Sequence, residues 1–180
     1  MIARSTLLLV AALSSLLLMA ARTARAQATA VEQPACDAAE HRQFDFWLGD
    51  WQVTTPDGQQ AGRNSVTRAL DGCVIHEHWD GATMRGESFN IWDRDRKRWH
   101  QTWVSSRGDL LVLEGAFTHG AMQMTGTSGP ADKPVLNRIT WTPRADGSVR
   151  QLWEVSADTG KTWRVIFDGT YRRARSAAVH

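Results

Sequence analysis

The stretch MRGESFNIWDRDRKRWHQTWVS, residues 84–105, holds two β-prone runs, 84–92 and 98–105, around a charged segment from Asp93 to Lys97. In both runs aromatic and branched residues alternate with polar ones. That is the period of a half-buried strand, and a short polar turn between two such runs makes a hairpin. The same texture continues outward in both directions. It predicts further strands near 50–55, 62–70, 73–79, 109–117, 121–127, 135–142, 148–155 and 161–172. Turn signals separate them, among them Pro56-Asp57-Gly58, Asp80-Gly81, His119-Gly120 and Asp146-Gly147. Asp-Gly and Gly-rich turns between alternating runs are hairpin chemistry. Beyond residue 26 no stretch has a helical period of helical length, although residues 37–48 have room for one short turn or helix that plugs an end.

About ten short antiparallel strands leave two solutions, a sandwich or a closed barrel. Short connections suit a meander, whereas sandwiches usually need longer Greek-key crossings. The expected fold is therefore all-β, an antiparallel up-and-down β-barrel of about ten strands. It would occupy residues 44–175, with an N-terminal arm over 27–43 and a tail over 176–180. The length of 180 residues sets one domain as the expectation.

Residues 1–26 have the layout of a secretory signal peptide. Arg4 gives a charged start, Leu7 to Ala21 is mostly apolar, and Ala24-Arg25-Ala26 is a small-x-small cleavage site. Cleavage leaves Gln27 first, or Thr29 if Ala26-Gln27-Ala28 is used; a retained membrane anchor is the other reading. The signal carries Arg4, Arg22 and Arg25 and no acidic residue, so its loss moves the formal charge from +2 to −1. A near-neutral exported chain does not suit nucleic acid as a partner. No membrane contact is expected after cleavage. The interleaved charges from Asp93 to Arg98 fit a solvated hairpin tip.

Cys36 and Cys73 are the two cysteines. An even pair in an oxidising compartment invites a disulfide, which would tie the arm to the barrel; two unpaired thiols are the alternative. Ser156-Ala157-Asp158-Thr159-Gly160-Lys161-Thr162-Trp163 matches the Asp-box pattern of sialidase-type propellers. A single copy cannot build a propeller, so it reads as a structural hairpin.

Gly49-Asp50-Trp51 resembles the G-x-W that opens the first strand of calycins, the lipocalins and fatty-acid-binding barrels. Tyr171-Arg172-Arg173 puts arginines on the last strand, where lipocalins often stack an Arg on that Trp. Phe44-Asp45-Phe46-Trp47-Leu48-Gly49-Asp50-Trp51, Leu70-Asp71-Gly72-Cys73, Trp99-His100-Gln101-Thr102-Trp103-Val104 and Ile139-Thr140-Trp141-Thr142-Pro143 form a wider pattern. It resembles a set of secreted bacterial proteins similar to the lipocalin-like family called domain of unknown function 1579. The resemblance implies a β-barrel and carries over no activity and no catalytic residue. It departs from haem-binding barrels of the nitrobindin type, since no late strand offers an axial His.

Nine tryptophans accompany a single tyrosine. Residues two apart on a strand share a face. Asn90 therefore sits with Trp92, Gln101 with Trp99 and Trp103, and Gln151 with Trp153. Turned inward, these faces line a cavity with aromatic walls and sparse amides, as a small-ligand pocket requires. Arg138 and Thr140 would join it, and Met122 and Met124 would give an adaptable wall. The expected ligand-binding residues are Asn90, Trp92, Gln101, Trp103, Arg138, Gln151 and Trp153. Turned outward, the same faces would leave Phe89, Ile91, Thr102 and Val104 as core. His76 and His78 share a face at metal-ligand spacing, but no third ligand follows from spacing, so no metal or cofactor is expected. Glu77 faces the other way with Trp79, where burial would raise its pKa. Glu77, Glu114 and Glu154 are otherwise read as ion pairs or solvated side chains. The leading reading is a barrel that binds a small, partly apolar ligand. The rivals are an enzyme on the same barrel using a Glu or His as acid/base, and an envelope interaction module with a solid core.

Overall fold

The computed structural model describes residues 36–174. The signal-peptide reading and most of the arm and tail lie outside the described residues. Ten strands follow in chain order: β1 (Gly49–Thr54), β2 (Gln60–Ala69), β3 (Val74–Gly81), β4 (Arg85–Asp93), β5 (Arg98–Ser105), β6 (Leu110–Thr118), β7 (Ala121–Ser128), β8 (Val135–Pro143), β9 (Val149–Ser156) and β10 (Arg164–Arg173). Each pairs antiparallel with its sequence neighbours, and β1 also pairs with β10, so the meander closes into a barrel without a free edge. Alternation sends one face of each strand inward. On β4 and β5 the inward set includes Ser88, Asn90, Trp99 and Gln101, all buried, while Phe89, Ile91 and Val104 are exposed outside. The alternative core is thus excluded.

One end is plugged. Two short 3-10 turns, Ala39–Arg42 and Asp45–Trp47, bring Phe44 and Trp47 into the barrel mouth, where both are fully buried. Their rings stack at 4.9 Å, and Phe44 meets Trp99 at 5.7 Å and Trp141 at 5.3 Å. Trp51 donates its indole N–H to the Trp47 carbonyl at 2.9 Å. The Arg173 guanidinium lies 4.0 Å above the Trp51 ring and donates to the Leu48 carbonyl at 2.6 Å. Arg173 is exposed, and a cation–π contact at such a site contributes about 0.5–1 kcal/mol. Gly49 is required beneath it: its φ is +129°, and a Cβ there would sit 1.6 Å from an Arg173 nitrogen.

Cys36 and Cys73 form a disulfide, with Cα atoms 5.0 Å apart. It fastens the plug segment to the start of β3. Arg68 on β2 adds an ion pair to Asp45 and a hydrogen bond of 3.0 Å to the Gly72 carbonyl. Closing a loop of 37 residues gives about 4 kcal/mol in the chain-entropy model. Thiol titration of the purified protein, denatured without reductant, should therefore find no free cysteine. Reduction should lower the unfolding free energy by about 4 kcal/mol. Two titratable thiols in the oxidised preparation would contradict the bridge.

Candidate functional site

The plug fills only half of the barrel. Toward the other end lies a cavity of about 330 Å³, lined by Trp79, Trp103, Trp141, Trp153, Phe167 and Tyr171, with Leu111, Ile139, Glu77, Gln101 and Gln151. The segment Gly81–Met84 and Ile166 border its mouth. The volume falls at the small end of the ~300–1,000 Å³ typical of small-molecule sites. Glycines on the same or the next strand admit the large rings. A Cβ on Gly86 would lie 2.3 Å from the Trp103 ring, and one on Gly81 would lie 2.5 Å from the Trp79 indole nitrogen.

Between the plug and the cavity runs a belt of buried polar side chains. Glu77 is 4% exposed. It accepts from the Asn64 amide at 2.8 Å and from the Ser88 hydroxyl at 2.6 Å. Asn90 donates to Ser88 at 3.0 Å and to the Ile75 carbonyl at 3.1 Å. Gln101 donates to Asn90 at 2.7 Å. On the other side of Glu77, the buried Tyr171 hydroxyl donates to the Gln151 carbonyl oxygen. No cation faces the Glu77 carboxyl. Burial pushes it up to about 7, against the smaller opposing effect of the Ser88 and Asn64 hydrogen bonds. The Tyr171 phenol is held well above its usual value of 10, by burial and by the nearby Glu77.

Gln101, Trp103, Gln151 and Trp153 thus line one cavity. Asn90 is inward but one layer deeper, beneath Gln101. Trp92 is inward at the plugged end, 6.5 Å from Trp99 and away from the cavity lining. Arg138 is a correction. Asn137, Ile139 and Trp141 take the inward positions of β8, which turns Arg138 and Thr140 outward. Arg138 pairs with Glu154 on β9 at 2.9 Å and covers Trp163 at 4.0 Å. Met122 and Met124 are fully buried within the core and do not line the cavity. Glu77 also departs from expectation, being neither ion-paired nor solvated. Glu114 pairs with Arg96 and with Arg98 at 3.1 Å, as an ion pair should.

Asn64 and Tyr171 went unrecognised as site neighbours. The available signal was parity: Ile75, Glu77 and Trp79 alternate with His76 and His78, and the sole tyrosine shares its face with Gly169. His76 and His78 lie outside, 2.9 and 3.4 Å from Glu87. Among the described residues no cluster of His, Cys, Asp or Glu suits a metal ion. No helix among them is long and apolar enough to cross a membrane. The Asp-box hairpin is internally bonded, Thr162 donating to Asp158 through its amide at 2.9 Å and its hydroxyl at 2.6 Å. Those bonds pull the Asp158 carboxyl down to about 2. No protein-family model and no curated protein matches the chain in sequence.

The native Glu77 carboxyl keeps its proton up to about pH 7, whereas the unfolded chain releases it near 4.5. Its contribution to stability is present in full below pH 4.5 and is lost as pH rises toward 7. The slope is about 1.4 kcal/mol per pH unit, on the order of 3 kcal/mol in all. Urea unfolding between pH 5 and pH 8 should show this decline in the parent chain and not in Glu77→Gln. Parallel profiles for the two proteins would place the carboxyl in contact with water.

Proposed function

We propose that this chain is an exported, lipocalin-like barrel that binds a small, partly apolar ligand in the aromatic and amide-lined cavity. The carrying observation is that cavity: four tryptophans, a phenylalanine and the sole tyrosine around one space with Gln101, Gln151 and Glu77 placed in its wall. Apolar area supplies affinity, and a few fixed polar groups supply orientation. The G-x-W clamp, in which Arg173 covers Trp51, supports kinship with the secreted lipocalin-like proteins that the wider motif resembles. The disulfide supports an oxidising compartment, periplasmic or extracellular, reached through residues 1–26 as a cleaved signal.

A second reading has its own observation. Glu77 lines the cavity with its carboxyl near 7, within reach of both protonation states at neutral pH. A carboxyl so poised suits general acid/base chemistry on the same bound molecule.

Native mass spectrometry of protein isolated from the cells that make it tests both readings. The binding barrel should carry a small molecule, and Ala61→Trp, which fills the mouth, should carry none while remaining folded. A parent barrel that returns the molecule retained by Glu77→Gln at a changed mass would mark turnover and replace binding by catalysis. An empty parent barrel would count against a ligand altogether. Gln101→Leu strands the Asn90 acceptor, and Gln151→Leu strands the Tyr171 hydroxyl. Each should cost about 1–3 kcal/mol of stability. Trp103 is only partly buried, so Trp103→Ala should cost less than the ~3–5 kcal/mol of a fully enclosed ring.

A further inference from the structure

The hydrogen-bond donors of the polar belt are almost all spent within it. The Asn64 amide and the Ser88 hydroxyl both point at Glu77. The Asn90 and Gln101 amides donate along the belt, and the Tyr171 hydroxyl goes to Gln151. What remains unspent next to Glu77 itself is mainly acceptors. Each carboxylate oxygen of Glu77 has a second lone pair, and the Asn64 carbonyl oxygen is buried with no partner. The Asn64 amide cannot turn to use that oxygen while its N–H faces an ionised Glu77. Among the described residues four donors of the lining stay free, the indoles of Trp79, Trp103 and Trp141 and the Gln151 amide, and of these only Trp79 shares β3 with Glu77.

This excess of acceptors is joined to an unusual charge pattern. The inward face of the barrel holds one acidic side chain and, among the described residues, no basic side chain lines the cavity. Around it stand Trp79, Trp103, Trp141 and Trp153, whose ring quadrupoles attract cations at their faces. An ammonium group has three donors and no acceptor. It is the complement of a carboxylate and an aromatic wall.

We propose that the cavity selects a protonated primary amine on a small apolar or aromatic body, with the ammonium seated on Glu77. The proposal rests on the reading of the cavity as a binding site. The amine brings the positive charge that the buried carboxyl lacks. Seating it requires the ionised carboxylate, so at low pH a proton must leave Glu77 for solvent as the amine enters. The groups facing Glu77 are Asn64 from β2, Ser88 from β4 and Tyr171 from β10. Only Tyr171 among them titrates, and it stays neutral through the working range because its phenol is held above 10. The pH dependence of binding therefore belongs to Glu77.

Phenylethylamine, phenylethanol and phenylpropionate share one apolar body and differ in the head group. Titrating each against the intrinsic tryptophan fluorescence, at pH 8 and pH 5, separates the possibilities. The amine should bind at least about ten-fold tighter than the alcohol at pH 8, as one charge-assisted hydrogen bond allows. With Glu77 titrating near 7, its affinity should fall about 100-fold at pH 5 while that of the alcohol holds. Glu77→Gln should abolish the amine's preference. Should that variant not fold, the pH dependence in the parent chain decides alone. Alcohol or propionate binding as well as the amine, or an amine affinity indifferent to pH, overturns the amine assignment and leaves the cavity reading standing. Failure of all three probes overturns both.

Discussion

A carboxyl group shut inside an aromatic barrel, with no cation beside it, is the constraint around which the rest of this interior is arranged. Isolating such a charge in a low-dielectric space is so costly that the group either neutralises or gathers donors. Glu77 does both. Its pKa rises to about 7, and Asn64 and Ser88 from the flanking strands donate to it. Ser88 in turn accepts from Asn90, and Asn90 from Gln101, so one buried acid organises side chains from four consecutive strands. A fully satisfied network of this kind rigidifies its surroundings, and a half-satisfied one is expensive.

The belt divides the barrel into two chemically different halves. On one side Phe44, Trp47, Trp51, Trp99 and Trp141 fill the space completely. Arg173 and the disulfide hold that plug in place from outside. On the other side the rings stand against the wall and leave the centre open. Glycines make this possible, because a Cβ at Gly86 would collide with the Trp103 ring and one at Gly81 with the Trp79 indole. The tryptophan count therefore has two causes. Some rings close the barrel, and others line what the plug does not reach.

Most of this architecture could be read from strand parity. The ten runs, the inward Gln-x-Trp faces and the cysteine pair follow from alternation, turn chemistry and redox logic, and the structure shows each of them. Parity misled where it was applied loosely. Arg138 was grouped with the pocket although Ile139 and Trp141 alternate against it, and its partners Glu154 and Trp163 lie on other segments. Trp92 had the correct face but the wrong height, which alternation does not encode. Glu77 was undervalued for a related reason. Its partners come from β2 and β4, 13 and 11 residues away, and no local pattern announces that these two strands will bring only donors to one acid.

The state of that acid decides the account. Carbon-detected NMR of side-chain-labelled glutamate, assigned by comparison with Glu77→Gln, follows its carboxyl directly through a pH titration. The account predicts a midpoint near 7 in the ligand-free barrel, far from the ordinary 4.5. Saturation with phenylethylamine should then move that midpoint downward as the ammonium takes its place. A midpoint at the ordinary value, unmoved by the amine, would mean that water reaches Glu77 freely and that the belt, the cavity and the charge do not form one site.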